Sequence, residues 1–213
     1  MKERPILFSG EMVRAILEGR KTQTRRVIKK IPCQCAEWLP YEVSNTTPEG
    51  YQTLGHSGKW TCESCMDEPI KCPYGQPGDR LWVRETWREQ PVGEDGENEI
   101  QYKADFNEGE LACYGRRGGH LPRPWKPSIH MFRHMSRILL EVVSVRVERV
   151  QDISLEDAIA EGFGVEITLK TSDYPVVDFR LYWDLINGKK YPWGANPWVW
   201  AIEFKKLEVK SGG

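Results

Sequence analysis

The sequence predicts an α+β fold built around a small β-barrel, and three observations carry that prediction. Alternating stretches at 79–87, 138–150 and 197–206 have the two-residue period of strands. Short amphipathic helices stand between them. No regular strand–helix–strand rhythm recurs, which argues against a parallel, doubly wound sheet.

Taken in order, Ser9 caps a helix over residues 10–17, with Met12, Val13, Ile16 and Leu17 on its apolar side and Gly19 ending it. Residues 22–28 read as a strand. Residues 31–77 form a long insertion rich in Cys, Pro, Gly and Ser and poor in periodicity. Gly78 and Asp79 turn the chain into "RLWVRETW", where Leu81 and Val83 face one way and Trp82 and Arg84 the other. The acidic segment 91–110 is expected to be a surface loop or hairpin. In "ILLEVVSVRVERV" Val143, Val145 and Val147 alternate with Ser144, Arg146 and Glu148. Ser154 caps "LEDAIAEGF", with Asp157 at the capping-box position and Gly162 closing it. Residues 179–188 are a second amphipathic helix. "NPWVWAIEFKKLE" then sets Trp198, Trp200, Ile202 and Phe204 on one face, as a half-buried terminal strand. One domain over 1–210 accounts for all of this.

The 213 residues are 39% hydrophobic and 29% charged, a balance that fits a soluble globular chain rather than a membrane or disordered one. No run approaches the ~18 apolar residues of a membrane span. Met1–Pro5 has no apolar signal region, so a cytoplasmic location is expected. In that compartment the six cysteines are thiols or metal ligands rather than disulfides. The net charge of −1 hides segregation: residues 20–30 hold six cations and no acid, and 94–110 hold seven acids against Lys103. Residues 116–140 again hold six cations, interleaved with His120, Trp125, His130, Phe132 and His134. Basic stretches with aromatics fit a nucleic-acid face, with phosphates and stacking supplying affinity; solvated loops are the plain alternative. The near-zero net charge argues against a protein that coats nucleic acid indiscriminately.

Three motifs bear on chemistry. Cys33 and Cys35, with Cys62 and Cys65, are candidate ligands of a structural zinc that would stabilise an insertion lacking its own core. Cys72 and His56 are reserve ligands, and free thiols are the alternative. The pair His130/His134 has no nearby carboxylate to orient its rings, so it is a poor metal site. No phosphate-binding loop, dinucleotide fingerprint or nucleophile elbow occurs, which argues against P-loop NTP hydrolysis and α/β-hydrolase chemistry. The third motif is "LEGRKTQTRR", residues 17–26. Lys21 and Thr24 would face opposite sides of a regular strand, so a bend is needed to bring them together. If they meet, they form a nucleophile–base pair, with the lysine made neutral by burial and by Arg20, Arg25 and Arg26. A basic edge that grips phosphate is the competing reading.

"ILEGRKTQTRR", then "CPYGQPGDRLWVRE", "PSIHM", "SLEDAIAEGF" and "WVWAIEF" resemble, in order and spacing, the longer ASCH (activating signal cointegrator homology) proteins of phages and prophages. The resemblance covers most of the chain outside 33–71 and 91–110. It implies a PUA-like β-barrel and recognition of RNA or a modified nucleoside. Small ASCH proteins include amidohydrolases that deacetylate N(4)-acetylcytidine with threonine, lysine and glutamate. Carried across, these fall on Thr24 as nucleophile, Lys21 as base and Glu161 as its orienting partner. A groove lined by Arg20, Arg25, Arg26 and Arg84, with Trp82 or Trp125 as a stacking platform, would hold the nucleic acid. A noncatalytic RNA-binding module is the alternative, and no protein partner is evident.

Overall fold

A computed structural model describes residues 1–29, 37–39, 59–61, 72–92, 97–106, 123–164 and 175–207. Nine strands fall within them: β1 (Glu3–Leu7), β2 (Gln23–Val27), β3 (Glu37–Leu39), β4 (Lys59–Thr61), β5 (Arg80–Arg84), β6 (Trp87–Val92), β7 (Glu97–Tyr102), β8 (Leu139–Arg149) and β9 (Trp198–Leu207). Three α-helices accompany them: α1 (Gly10–Leu17), α2 (Leu155–Ala160) and α3 (Pro175–Asn187). The main sheet has the order β1-β5-β8-β9-β2. Only β1 and β5 are parallel; β5–β8, β8–β9 and β9–β2 are antiparallel. The fold is α+β, as the scattered strands and short helices predict.

The sheet is open: no closed barrel is seen among the described residues. Its two edge strands nevertheless approach each other. Arg26 Nη2, from β2, donates to the carbonyl of Leu7 at the end of β1 over 2.6 Å. The same guanidinium lies 5.1 Å from the centre of the buried Phe8 ring.

Central β8 carries a bulge between Val142 and Ser144. A bulge inserts one unpaired residue and reverses the parity of the alternation. Leu140 and Val142 therefore enter the core before it, and Val145 and Val147 pack on the same core after it. Val143 is the extra residue and stands 49% exposed. The valine alternation thus reads correctly from 145 onward, and the bulge takes Val143 out of it.

Strand β9 separates two cores. Trp200, Ile202 and Phe204 join Ile6, Val13, Ile16, Leu81 and Val83 on one face, under α1. Val199 joins Phe163, Phe179 and Trp183 on the other, under α2 and α3. The terminal strand is therefore buried on both faces from Val199 to Ile202, not half-buried, because α3 covers the side expected to meet water.

The caps act as the sequence predicts. Ser9 Oγ accepts from the Met12 N–H and Ser154 Oγ from the Asp157 N–H, while Gly19 and Gly162 take φ of 77° and 95°. Helix α3 begins at Pro175, earlier than its apolar period indicates, since proline suits the first helical turn. The acidic segment contributes to a hairpin, β6–β7, rather than a free loop. Trp87 of that hairpin is buried with Met131 and Met135. Within 31–77, β3 and β4 pair antiparallel. No helix among the described residues is long and apolar enough to cross a membrane.

The burial pattern predicts opposite outcomes for two substitutions on neighbouring strands. Ile202→Ala should cost about 2–5 kcal/mol, whereas Val143→Ala on the bulge should cost less than about 0.5 kcal/mol. Urea unfolding followed by tryptophan fluorescence measures both. Equal losses would contradict the inward and outward assignment around the bulge.

Candidate active site

The site grows from an edge strand that needs cover. The backbone N–H of Thr22, leading into β2, donates to the carbonyl of Ala160 over 2.8 Å, so the end of α2 caps the sheet edge. Carbonyls at a helix C-terminus lack partners within the helix and attract cations. Lys21 answers that demand: its Nζ donates to the carbonyl of Glu161 over 2.8 Å and to Glu161 Oε2 over 2.6 Å. Both side chains are buried.

Around this pair lies a network of alternating charge. The buried Arg25 guanidinium pairs with Glu148 Oε1 at 2.5 Å and Asp157 Oδ2 at 2.6 Å, and reaches Glu161 Oε1 at 3.5 Å. Arg146 pairs with Asp157, Glu148 and Glu203. With its amide oriented to suit its neighbours, Gln23 donates to Asp157 Oδ1 over 2.9 Å and accepts from Arg25 and Arg146. Burial pushes the Asp157 carboxyl up, but Arg25 and Arg146 outweigh it and hold the group below its ordinary value. Burial prevails at Glu148, whose carboxyl lies above the usual range despite the same two arginines. Lys21 is depressed, chiefly by burial and further by Arg26 and Arg25, against the opposing pull of Glu161.

Beside the network opens a cavity of about 300 Å³. Thr24, Arg26 and Glu161 supply polar groups to its lining, and Phe163, Phe179, Tyr182 and Trp183 supply rings. The Tyr182 hydroxyl is hydrogen-bonded to Ser9 Oγ at 2.8 Å, which ties α3 to the cap of α1. Burial pushes that phenol above its ordinary pKa.

The residues singled out from sequence therefore separate. Lys21 meets Glu161 behind the cavity wall and is not itself a lining residue, whereas Thr24 and Glu161 share the lining with Arg25 and Arg26. Arg20 is not part of that lining; it pairs with Glu18 on the surface. Arg84 donates to the carbonyls of Ser128 and Ile129 and lies 5.3 Å from the Trp82 ring. Trp125 packs on Phe106 and on the Arg88 guanidinium. None of these three lines the cavity; Trp82 and Arg84 lie on β5, which β8 and β9 separate from β2 in the sheet.

Cys33, Cys35, Cys62 and Cys65 lie outside the described residues, as does His56. Cys72 is described: burial pushes its thiol up to about 11, so it is protonated at neutral pH. Among the described residues no group of three or more His, Cys, Asp or Glu side chains is placed to hold a metal. The sequence reading missed Glu148, Tyr182 and the aromatic wall. Glu148 looked like the polar half of a strand alternation, and Tyr182 like part of an amphipathic helix; only their juxtaposition across the fold gives them a role.

Compared with protein-family models, curated proteins and solved structures, the chain matches none.

Arg25→Ala leaves Glu148, Asp157 and Glu161 without the cation they share. It should destabilise the protein by about 3–5 kcal/mol at neutral pH. Losing the cation raises the folded-state pKa values of Glu148 and Asp157, so the folded variant takes up protons that the wild type does not. The deficit should therefore shrink as the pH falls towards about 5. Urea unfolding of both proteins at the two pH values checks the magnitude and the sign.

Proposed function

We infer that this chain is an amidohydrolase of the ASCH, PUA-like type, acting on a modified nucleoside of the N(4)-acetylcytidine class. One observation supports this above all others. A buried lysine of depressed pKa is held 2.6 Å from a carboxylate that lines the same aromatic cavity as Thr24. Perturbed titrating groups beside a concave, ring-lined pocket are the usual marks of a reactive site. A cavity of about 300 Å³ is of the size that takes a small planar ligand. Edge strands bridged by Arg26 are in keeping with a barrel-like ancestry for the open sheet.

In this reading Thr24 Oγ bonds to the acetyl carbonyl carbon as its proton passes to the neutral Lys21 amine. The tetrahedral adduct collapses by breaking the carbon–nitrogen bond. The Lys21 ammonium returns the proton to the departing exocyclic nitrogen, and cytidine leaves. Water then gives a proton to Lys21 and attacks the acetyl-threonine ester. Acetate departs as that proton returns to Thr24 Oγ. Glu161 holds the lysine in place through both halves.

A noncatalytic nucleoside-binding module is the second reading. It is favoured by the fact that both side-chain hydrogen bonds of Lys21 end on Glu161, as in a purely structural ion pair.

Two measurements separate these readings. Lys21→Arg keeps the charge and removes the usable base, so it should abolish deacetylation of N(4)-acetylcytidine, as should Thr24→Ala. Binding of the nucleoside should survive in both. Wild-type turnover in either variant, or none in the wild type, would leave the binding module standing. The pH profile supplies the second test. The base works only when neutral, so kcat/KM should rise with pH through the Lys21 pKa. It should level off below the ordinary lysine value of 10.5, because the folded protein depresses that pKa.

A further inference from the structure

The cations around the cavity are of two kinds. Lys21 and Arg25 are matched by carboxylates within ion-pair distance. Arg26 and Lys29 also belong here, since both line the cavity, yet neither makes an ion pair among the described residues. Arg26 is partly withdrawn from water and gives one Nη2 bond to the Leu7 carbonyl; its Nε has no hydrogen-bond partner. The rings of Phe8 and Tyr74 lie 5.1 and 6.0 Å from its guanidinium carbon. Glu161 acts on it electrostatically from beyond contact range, and its oxygens are already engaged by Lys21 and Arg25. A desolvated guanidinium without a carboxylate is a costly arrangement, and an anionic ligand would offset the cost.

We propose that Arg26 and Lys29 form the phosphate subsite of this cavity, so that the ligand is a phosphorylated nucleoside rather than a free one. The proposal rests on the reading of the cavity as a nucleoside site. Thr24 and Arg26 are two residues apart on β2, which places them on one face with Cα atoms roughly 6.7 Å apart. The Arg26 head is held at the Leu7 carbonyl and beside the Phe8 and Tyr74 rings. Arg26 offers the planar fork that matches phosphate oxygens, and the exposed Lys29 adds a mobile point charge. The phosphate can belong to a mononucleotide or to a polynucleotide strand.

Calorimetric titration with cytidine, cytidine 5′-monophosphate and a trinucleotide centred on cytidine tests this without turnover. The wild type should bind the monophosphate or the trinucleotide about tenfold more tightly than cytidine. That ratio should fall towards one in Arg26→Gln and be reduced in Lys29→Gln. It should also shrink with added salt. Lys29 is exposed, so its variant keeps the test informative should Arg26→Gln fold poorly. Tighter binding of the trinucleotide than the monophosphate identifies a strand, and the reverse order a free nucleotide; either upholds the subsite. Cytidine binding as tightly as both phosphorylated ligands would overturn it while leaving the nucleoside reading intact. So would a preference that survives both substitutions. Failure of all three ligands to bind would remove the nucleoside reading, and the subsite with it.

Discussion

The contact between Lys21 and Glu161 is the constraint on which the site depends. An edge strand exposes unpaired backbone groups, and a short helix ends in unpaired carbonyls. Here each meets the other's need: Thr22 reaches Ala160, and Lys21 reaches Glu161. The position of α2 is fixed from its other end by the Ser154 cap and closed by Gly162 at positive φ. Glu161 is therefore delivered to β2 by backbone chemistry, before any functional demand is considered. Burying the pair is tolerable because the carboxylate also faces Arg25, which is in turn shared with Asp157 and Glu148. Breaking such a network exposes whichever charge remains.

The two-faced sheet explains why the centre of this network, Lys21, Arg25 and Glu161, can be dry while its outer members meet water. On the α1 side β9 presents Trp200, Ile202 and Phe204; on the α3 side it presents Val199 and Ala201 beside the charged residues of β2 and β8. The bulge at Val143 makes that division possible along all of β8. It sends Val145 and Val147 to the apolar core, and so leaves Arg146 and Glu148 on the face where Arg25 and Asp157 wait. Without the parity change, the charged half of the strand would enter the α1 core. One extra residue thus places two members of the ion network.

Much of the fold was legible because its signals are local. Helix caps at Ser9 and Ser154, the stops at Gly19 and Gly162, and the alternation in β5, β8 and β9 depend on residues a few positions apart. Strand β1 gave no such signal, being five residues long with Pro5 at its centre and paired with a strand some 75 positions away. Burial of both faces of β9 was hidden for a related reason, since the covering helix lies elsewhere in the chain. In the candidate site, Lys21, Thr24 and Glu161 were singled out through the motif they resemble, while Glu148 and Tyr182 carried no such signal. Sequence reading also put Arg20, Arg25, Arg26 and Arg84 in one class. The structure sorts them physically: Arg20 on a surface glutamate, Arg25 buried among three carboxylates, Arg26 on a carbonyl and two rings, Arg84 on loop carbonyls.

That sorting bears on the proton of Lys21. A carboxylate 2.6 Å away favours the ammonium, and at an effective dielectric of about 20 the attraction amounts to several kcal/mol. Two arginines oppose it, but each acts more weakly than Glu161, and the charge of Arg25 is largely taken up by its own acids. Charges alone would thus leave the lysine protonated. Burial decides the balance, being the largest influence on the group and acting against the charged form. Burial beside α1 and the Phe8 ring is therefore what loosens the proton, while Glu161 fixes where the amine stands. Position and basicity come from different parts of the fold. Tertiary packing supplies both, and a basic motif alone would supply neither.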